Sequence, residues 1–319
     1  MPRKSKTDAA AIRAGQDHAK IILKMRAQKL KRRTAVLRSL PPVKAVQAGR
    51  FSAELGLVMA AAGQSAGTVV AEGDSWFRLP HSIMPPTLID VLQERYGYPI
   101  DNMAHWGDTL ADMILAGQFW PPVISGQADT FLFSGGGNDV LGGEGGIARF
   151  LNLFDVDHTK PSDAAYYIKP EFYQNLKLIV QNYESLIQRV HVRAPNVIML
   201  GHGYDHVIPL VSGPWIGNGM MFVGLDPTFR RDLCQAIVRI MIDAFNSALA
   251  ALATTYSNYR YVDLRGAIGK NEWRDELHPT AAGAAKTAAR FDVALRKLPK
   301  SGAFTAPLIA SRTLFRRAA

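Results

Sequence analysis

Val69-Val70-Ala71-Glu72-Gly73-Asp74-Ser75-Trp76-Phe77 is a short apolar run that stops at a Gly-Asp-Ser turn. The run predicts a β-strand, and the turn then sets a serine hydroxyl at the rim of a sheet. Alone, such a serine says little, because turn serines are commonly solvated or cap a helix. The pattern around it recurs downstream. Strand candidates lie at Thr68–Ala71, Ile100–Ala104, Thr130–Ser134, Val197–Gly201 and Tyr259–Leu264. Helical candidates fill the intervals at Thr87–Tyr96, Thr109–Gly117, Glu171–Val192, Thr228–Thr254 and Thr280–Leu298. This alternation predicts an α/β fold with a parallel sheet covered on both faces. Right-handed crossovers bring the strand C-termini to one edge, where open sheets bind their ligands.

Four polar segments follow strand candidates: Gly73-Asp74-Ser75, Gly107-Asp108-Thr109, Gly136-Gly137-Asn138-Asp139 and Asp275-Glu276-Leu277-His278-Pro279. A serine hydroxyl is a poor nucleophile at neutral pH and needs an adjacent base. His278 can supply that base, and Asp275, three residues earlier, can accept its other ring N–H and set the tautomer. Pro279 is expected at the opening of the last helix, where its missing N–H leaves nothing unpaired. Read singly, His278 is a helix-start histidine, and Gly107 and Asn138 are ordinary turn residues. Asp74 and Asp139 are expected to hold loops through backbone hydrogen bonds.

In this order and at strand ends, the four blocks resemble those of the SGNH hydrolases, also called GDSL esterases and lipases, over about residues 68–295. The resemblance implies a three-layer α/β/α fold with a mostly parallel, flavodoxin-like five-stranded sheet. It implies a serine esterase acting on carboxylic esters through Ser75, His278 and Asp275. It further implies an oxyanion hole made by the backbone N–H of Ser75, the backbone N–H of Gly107 and the side-chain amide of Asn138. No cofactor and no metal belong to that reading. The substrates it implies are acyl lipids, thioesters, simple esters or O-acetylated carbohydrates. Trp76 stands where the family name has leucine, a departure that leaves the triad blocks intact.

Several residues carry weaker signals. His105, Trp106, Tyr204, Asp205 and His206 are candidate substrate contacts from their places beside the blocks or after a strand. His202 and His206 flank Asp205, but the segment reads as a loop, where helical ligand spacing does not apply. Trp76 and Phe77 suit either the core or a cleft wall. Gly63-Gln64-Ser65-Ala66-Gly67 matches a nucleophile-elbow pattern, yet a strand rather than a helix is expected after it. Ser65 is therefore placed in a linker. The single cysteine, Cys234, excludes an intrachain disulfide and reads as a buried thiol. Two long segments, Gly135–Pro170 and Gly203–Pro227, are expected as loops near the site, and the aromatics and methionines of the second lean towards an apolar acyl group.

Charge divides the chain. Residues 1–50 hold fourteen Lys or Arg against Asp8 and Asp17, whereas the other 269 positions hold 23 basic and 25 acidic side chains. The net +10 thus belongs to an N-terminal extension and says nothing of nucleic-acid binding by the remainder. The expected organisation is a basic, partly helical arm (1–50), a linker (51–67), a hydrolase domain (68–299) and a tail (300–319). The arm reads as solvated, or as a contact for a polyanion, an anionic membrane surface or a partner. No uninterrupted apolar run of spanning length occurs, and no segment fits a secretory signal, so a cytoplasmic protein without an integral membrane segment is expected. The alternative to an esterase is a targeted binding protein with a vestigial hydrolase domain. The intact Ser75, Asn138, Asp275 and His278 set speaks against it.

Overall fold

Five apolar runs become five strands: β1 Val69–Gly73, β2 Ile100–Asn102, β3 Thr130–Ser134, β4 Ile198–His202 and β5 Tyr259–Val262. They form one all-parallel sheet in the order β2-β1-β3-β4-β5. The architecture comes from a computed structural model that describes residues 69–298, apart from 81–84, 127 and 143–144, together with positions 17, 20 and 24. Thr68, the linker with Ser65 and the tail 300–319 lie outside the described residues, as does most of the basic arm. Of the arm, Asp17, Lys20 and Lys24 are helical and exposed, and Lys20 Nζ donates to Asp17 Oδ1 at 3.2 Å.

The central strands β1, β3 and β4 are buried along their whole length, as parallel strands covered on both faces must be. Side chains still alternate between the two faces. Val70, Phe131, Phe133, Met199 and Tyr259 enter one core, built with α2 (Leu110–Ala116), α3 (Trp120–Ile124), α5 (Pro170–Arg193) and α7 (Arg231–Thr255). Val69, Ala71, Leu132, Ile198, Leu200 and Val262 enter the other, built with α1 (Leu88–Glu94) and α8 (Ala281–Arg296). This is the three-layer α/β/α arrangement. Thr87 and Thr109 start α1 and α2 as capping boxes with Asp90 and Asp112, which explains why those boundaries are sharp.

Two expectations need correction. The segments 135–170 and 203–227 are not plain loops. They contain α4 (Gly137–Leu141), α6 (Gly217–Phe222) and 3-10 turns at Gly146–Phe150 and Pro161–Tyr167. These pieces, like α3, run for only five to seven residues, too short for helical periodicity to show in the sequence. Pro279 lies before α8 rather than in its first turn, because Thr280 is the N-cap and Pro279 bridges to Trp273. Helix α7 is long and apolar enough by composition to cross a membrane, although no uninterrupted apolar run marks it. Its apolar stripe, including Leu233, Ile237, Met241, Phe245 and Leu249, is buried in the first core.

Candidate active site

Ser75 follows β1 directly, where Asp74 fixes the turn. The buried Asp74 carboxylate accepts the Trp76 N–H (3.0 Å) and the Ser134 hydroxyl (2.9 Å) on Oδ1, and the Tyr204 hydroxyl (2.5 Å) on Oδ2. One side chain therefore ties the ends of β1, β3 and β4 together. Trp76 and Phe77 are buried in the second core, and the Trp76 indole also lines the cleft described below.

The histidine comes from the β5–α8 connection, 203 residues later. Arg274 N–H donates to His278 C=O at 2.9 Å and closes a tight loop. Within it the Asp275 carboxylate accepts the backbone N–H groups of Leu277 and His278, both at 2.8 Å. The same carboxylate faces the imidazole, with Nδ1 at 2.9 and 3.0 Å from its two oxygens. Nε2 on the far side of the ring lies 2.9 Å from Ser75 Oγ. Asp275 and His278 are both only 2% exposed, so solvent does not screen this pair. Burial alone would push the Asp275 pKa up. The His278 charge, its hydrogen bond and the two backbone donors outweigh burial and hold the carboxylate below its ordinary value.

Two further loops approach the serine. Backbone bonds Met103 N–H to Ala71 C=O and His105 N–H to Gly73 C=O, both 2.8 Å, carry the pairing with β1 past the end of β2. The chain then turns at Gly107, whose φ of 79° lies in the left-handed region that favours glycine. Asn138 sits in the first turn of α4 and donates one amide hydrogen to Asp108 C=O at 2.9 Å. An amide has two such hydrogens, so one contact leaves a second donor on the same nitrogen. Asp139 accepts the Leu110 N–H at 3.1 Å and ties the same two loops again.

A cleft of about 740 Å³, counting its open mouth, begins at Ser75, Trp76 and Asn138. Beyond them its wall is apolar, with Val140, Leu141, Ile147, Ile216, Val238 and Met241 among its lining. These residues come from α4, from the two insertions and from α7, so no single motif announces them.

The weaker candidates separate. Tyr204 does line the cleft, but its hydroxyl is committed, donating to Asp74 and accepting the Gly137 N–H at 3.0 Å. Burial first, and the Asp74 charge second, keep its pKa well above the ordinary phenol value, so it stays neutral. Asp205 is not in the cleft wall. It is buried and accepts backbone N–H groups from His206 (2.7 Å), Gly266 (2.6 Å) and Ile268 (2.7 Å), clamping β4 to the loop that leads to the histidine. His206 also points elsewhere, with Nε2 2.9 Å from Asp243, which pairs in turn with Arg265 at 3.2 Å. His105 stacks on Trp106 with ring centroids 5.4 Å apart, and neither lines the cleft wall. His202 is buried among Trp76, Phe77 and Phe291 and does not share a site with His206. Among the described residues no group of three His, Cys, Asp or Glu is placed to hold a metal ion. The Cys234 thiol is buried beside Leu225 C=O, and burial raises its pKa to about 12.

One carboxylate was invisible in the sequence. Glu276, inside the same loop as Asp275 and His278, is fully buried and accepts four backbone N–H groups from residues 210–217. Nothing in its neighbours' residue types signals this, because the donors are main-chain groups.

Solved structures to which the chain is similar include an extracellular lipase from Streptomyces rimosus, 17% identical, covering 72% of this chain and 100% of that one, with a TM-score of 0.48. A phospholipase A1 from Streptomyces albidoflavus NA297 is 16% identical over 72% of this chain and 99% of its own, with a TM-score of 0.46. An active-site mutant of a family two carbohydrate esterase from Clostridium thermocellum is 12% identical over 73% and 64% of the two chains, with a TM-score of 0.39. No curated protein matches the sequence. The model of the GDSL-like Lipase/Acylhydrolase family matches residues 73–286, from the turn before Ser75 into α8, and so spans both halves of the Ser75–His278 contact. The chain belongs to the GDSL-like lipase/acylhydrolase family of ester hydrolases.

Proposed function

We propose that this protein is a serine esterase for carboxylic esters with an apolar acyl group. The observation that carries the reading is the unbroken chain Ser75 Oγ–His278 Nε2, His278 Nδ1–Asp275, each step 2.9 Å, at the mouth of an apolar cleft. His278 takes the hydroxyl proton as Ser75 Oγ attacks the ester carbonyl. The oxyanion that forms needs donors already in place, and the Ser75 N–H, the Gly107 N–H and the remaining Asn138 amide hydrogen are the groups for it. His278 next gives its proton to the departing alcohol. It then activates a water that releases the acid from Ser75. Asp275 holds the imidazole in one tautomer and stabilises its charged form throughout.

The acyl preference follows from the cleft wall. A volume of about 740 Å³ lined beyond Ser75 by Val, Leu, Ile and Met side chains offers an alkyl chain burial and offers a sugar ring few hydrogen-bond partners. Acyl lipids and simple alkyl esters fit that wall better than O-acetylated carbohydrates. The test is labelling by an organophosphonate together with turnover of p-nitrophenyl esters. Wild-type protein is expected to label once and to turn over, and Ser75→Ala to do neither. Labelling retained in Ser75→Ala would exclude Ser75 as the nucleophile.

A further inference from the structure

Glu276 lies between Asp275 and His278, and the reaction above has no use for it. Its Oε1 accepts Leu210 N–H (2.9 Å) and Gly217 N–H (2.8 Å), and its Oε2 accepts Trp215 N–H (2.8 Å) and Ile216 N–H (2.9 Å). Four charge-assisted hydrogen bonds satisfy a carboxylate that is otherwise sealed from water. The insertion is shaped to make them. A Cβ on Gly213 would stand 2.1 Å from Glu276 Cδ, and one on Gly217 would stand 1.8 Å from Leu210 C=O. Only glycine lets the backbone wrap this closely.

What the wrapped segment carries faces the reaction. The Trp215 ring stands edge-on to the His278 imidazole, with centroids 5.9 Å apart. Ile216, next in sequence, lines the cleft together with Leu277, the residue after Glu276. One carboxylate thus joins the loop bearing the base to the part of the wall that an acyl chain would touch.

We propose that Glu276 is a positioning residue that sets acyl-chain selectivity, by docking the Leu210–Gly217 segment onto the Asp275–His278 loop and so fixing Trp215 against His278 and Ile216 in the cleft wall relative to Ser75. This rests on the esterase reading. A wall segment borne by an insertion is not held by strand pairing, and binding energy for extra methylenes is realised only against a wall that stays put.

The test uses the full chain, with kcat/KM for p-nitrophenyl acetate and p-nitrophenyl octanoate beside the rate of labelling by a small methylphosphonate probe. Glu276→Gln keeps the shape but turns an amide N–H towards two of the four donors. In that variant octanoate is expected to lose about tenfold or more relative to acetate, mainly through KM. Labelling should stay within about threefold of wild type, because the triad contacts are untouched. Gly213→Ala drives a methyl group against the same carboxylate while leaving its charge in place. It should shift the ratio in the same direction, and it serves if Glu276→Gln does not fold. Equal losses on both esters with labelling lost would overturn the proposal, since Glu276 would then act on the triad itself. An unchanged octanoate-to-acetate ratio in either folded variant would overturn it as well. A wild-type protein that neither turns over nor labels is a different failure, that of the esterase reading.

Discussion

The turn at Gly73–Ser75 and the insertion at Gly203–Pro227 meet at one cleft but are held there by different means. The turn grows out of a strand buried on both faces, and its position follows from the sheet. The insertion leaves β4 and carries only one short helix, α6. It is pinned at its start by Asp205 and across its middle by Glu276, each through backbone N–H groups. The difference assigns two tasks. In the proposed reaction the nucleophile stands just past a strand end, where small displacements are resisted by the whole core. Part of the wall proposed to select the acyl chain, Ile216 included, stands on the pinned segment, where length and shape can change without disturbing the sheet.

Breaking the turn side should have the largest effect. His278→Ala and Asp275→Asn are each expected to lower kcat by roughly 10⁴-fold or more, with KM for a short ester little changed. A loss below tenfold in steady-state turnover would mean that the chain of contacts at Ser75 is not the reaction path. Asn138→Ala tests the next group out. Its loss should take about 10²–10³-fold from kcat, as expected for a donor that acts in the transition state. If KM alone rose, Asn138 would be a substrate contact rather than an oxyanion donor.

On the insertion side the expected damage is to stability. Asp205→Ala leaves three backbone N–H groups without their acceptor, that of Ile268 buried, and should cost about 1–3 kcal/mol in urea unfolding. Turnover by the folded fraction should fall far less than in the triad variants. A neutral change would show that water or a backbone rearrangement replaces the clamp.

The two neighbouring carboxylates sharpen the comparison through pH. Asp275 is held below its unfolded pKa, so its contribution to stability is present above the ordinary aspartate range and is lost as pH falls through its native value. Glu276 goes the other way. Burial raises its pKa, more than the four backbone donors lower it. The native state therefore binds the Glu276 proton more readily than the unfolded chain, and this contribution grows as pH falls through the native pKa towards the unfolded value. Denaturant unfolding against pH should thus show the gap between wild type and Asp275→Asn narrowing in acid, and the gap between wild type and Glu276→Gln widening. Gaps that narrow together would mean the backbone donors outweigh burial at Glu276. The smallest effect is expected at His206→Ala, whose partly exposed pairing with Asp243 should be worth no more than about 1 kcal/mol, with turnover unchanged. Altered kcat/KM there would return His206 to the substrate site.

Much of the turn side was legible in the residues themselves, because its signals are short-range. Five apolar runs marked five strands. Asp275 and His278 stand three positions apart and meet within one loop. Gly107 lies in a loop, and Asn138 in the first turn of a short helix, that each follow a strand, as the edge rule for open sheets requires. The uneven charge was equally plain, since it needs only counting. Tertiary structure alone decided the rest. It took Asp205 and His206 out of the cleft, turned Tyr204 into a brace for Asp74, and gave Glu276 its clamp. It also gathered Val140, Ile147, Ile216 and Met241 into one apolar wall. The physical reason is the nature of the partners. Asp205 and Glu276 are satisfied by backbone N–H groups 59 to 66 residues away, apart from the His206 N–H next to Asp205, and Tyr204 takes one from Gly137, 67 residues away, besides its bond to Asp74. Nearly every residue carries such a group, so no residue type marks where the distant partner will be.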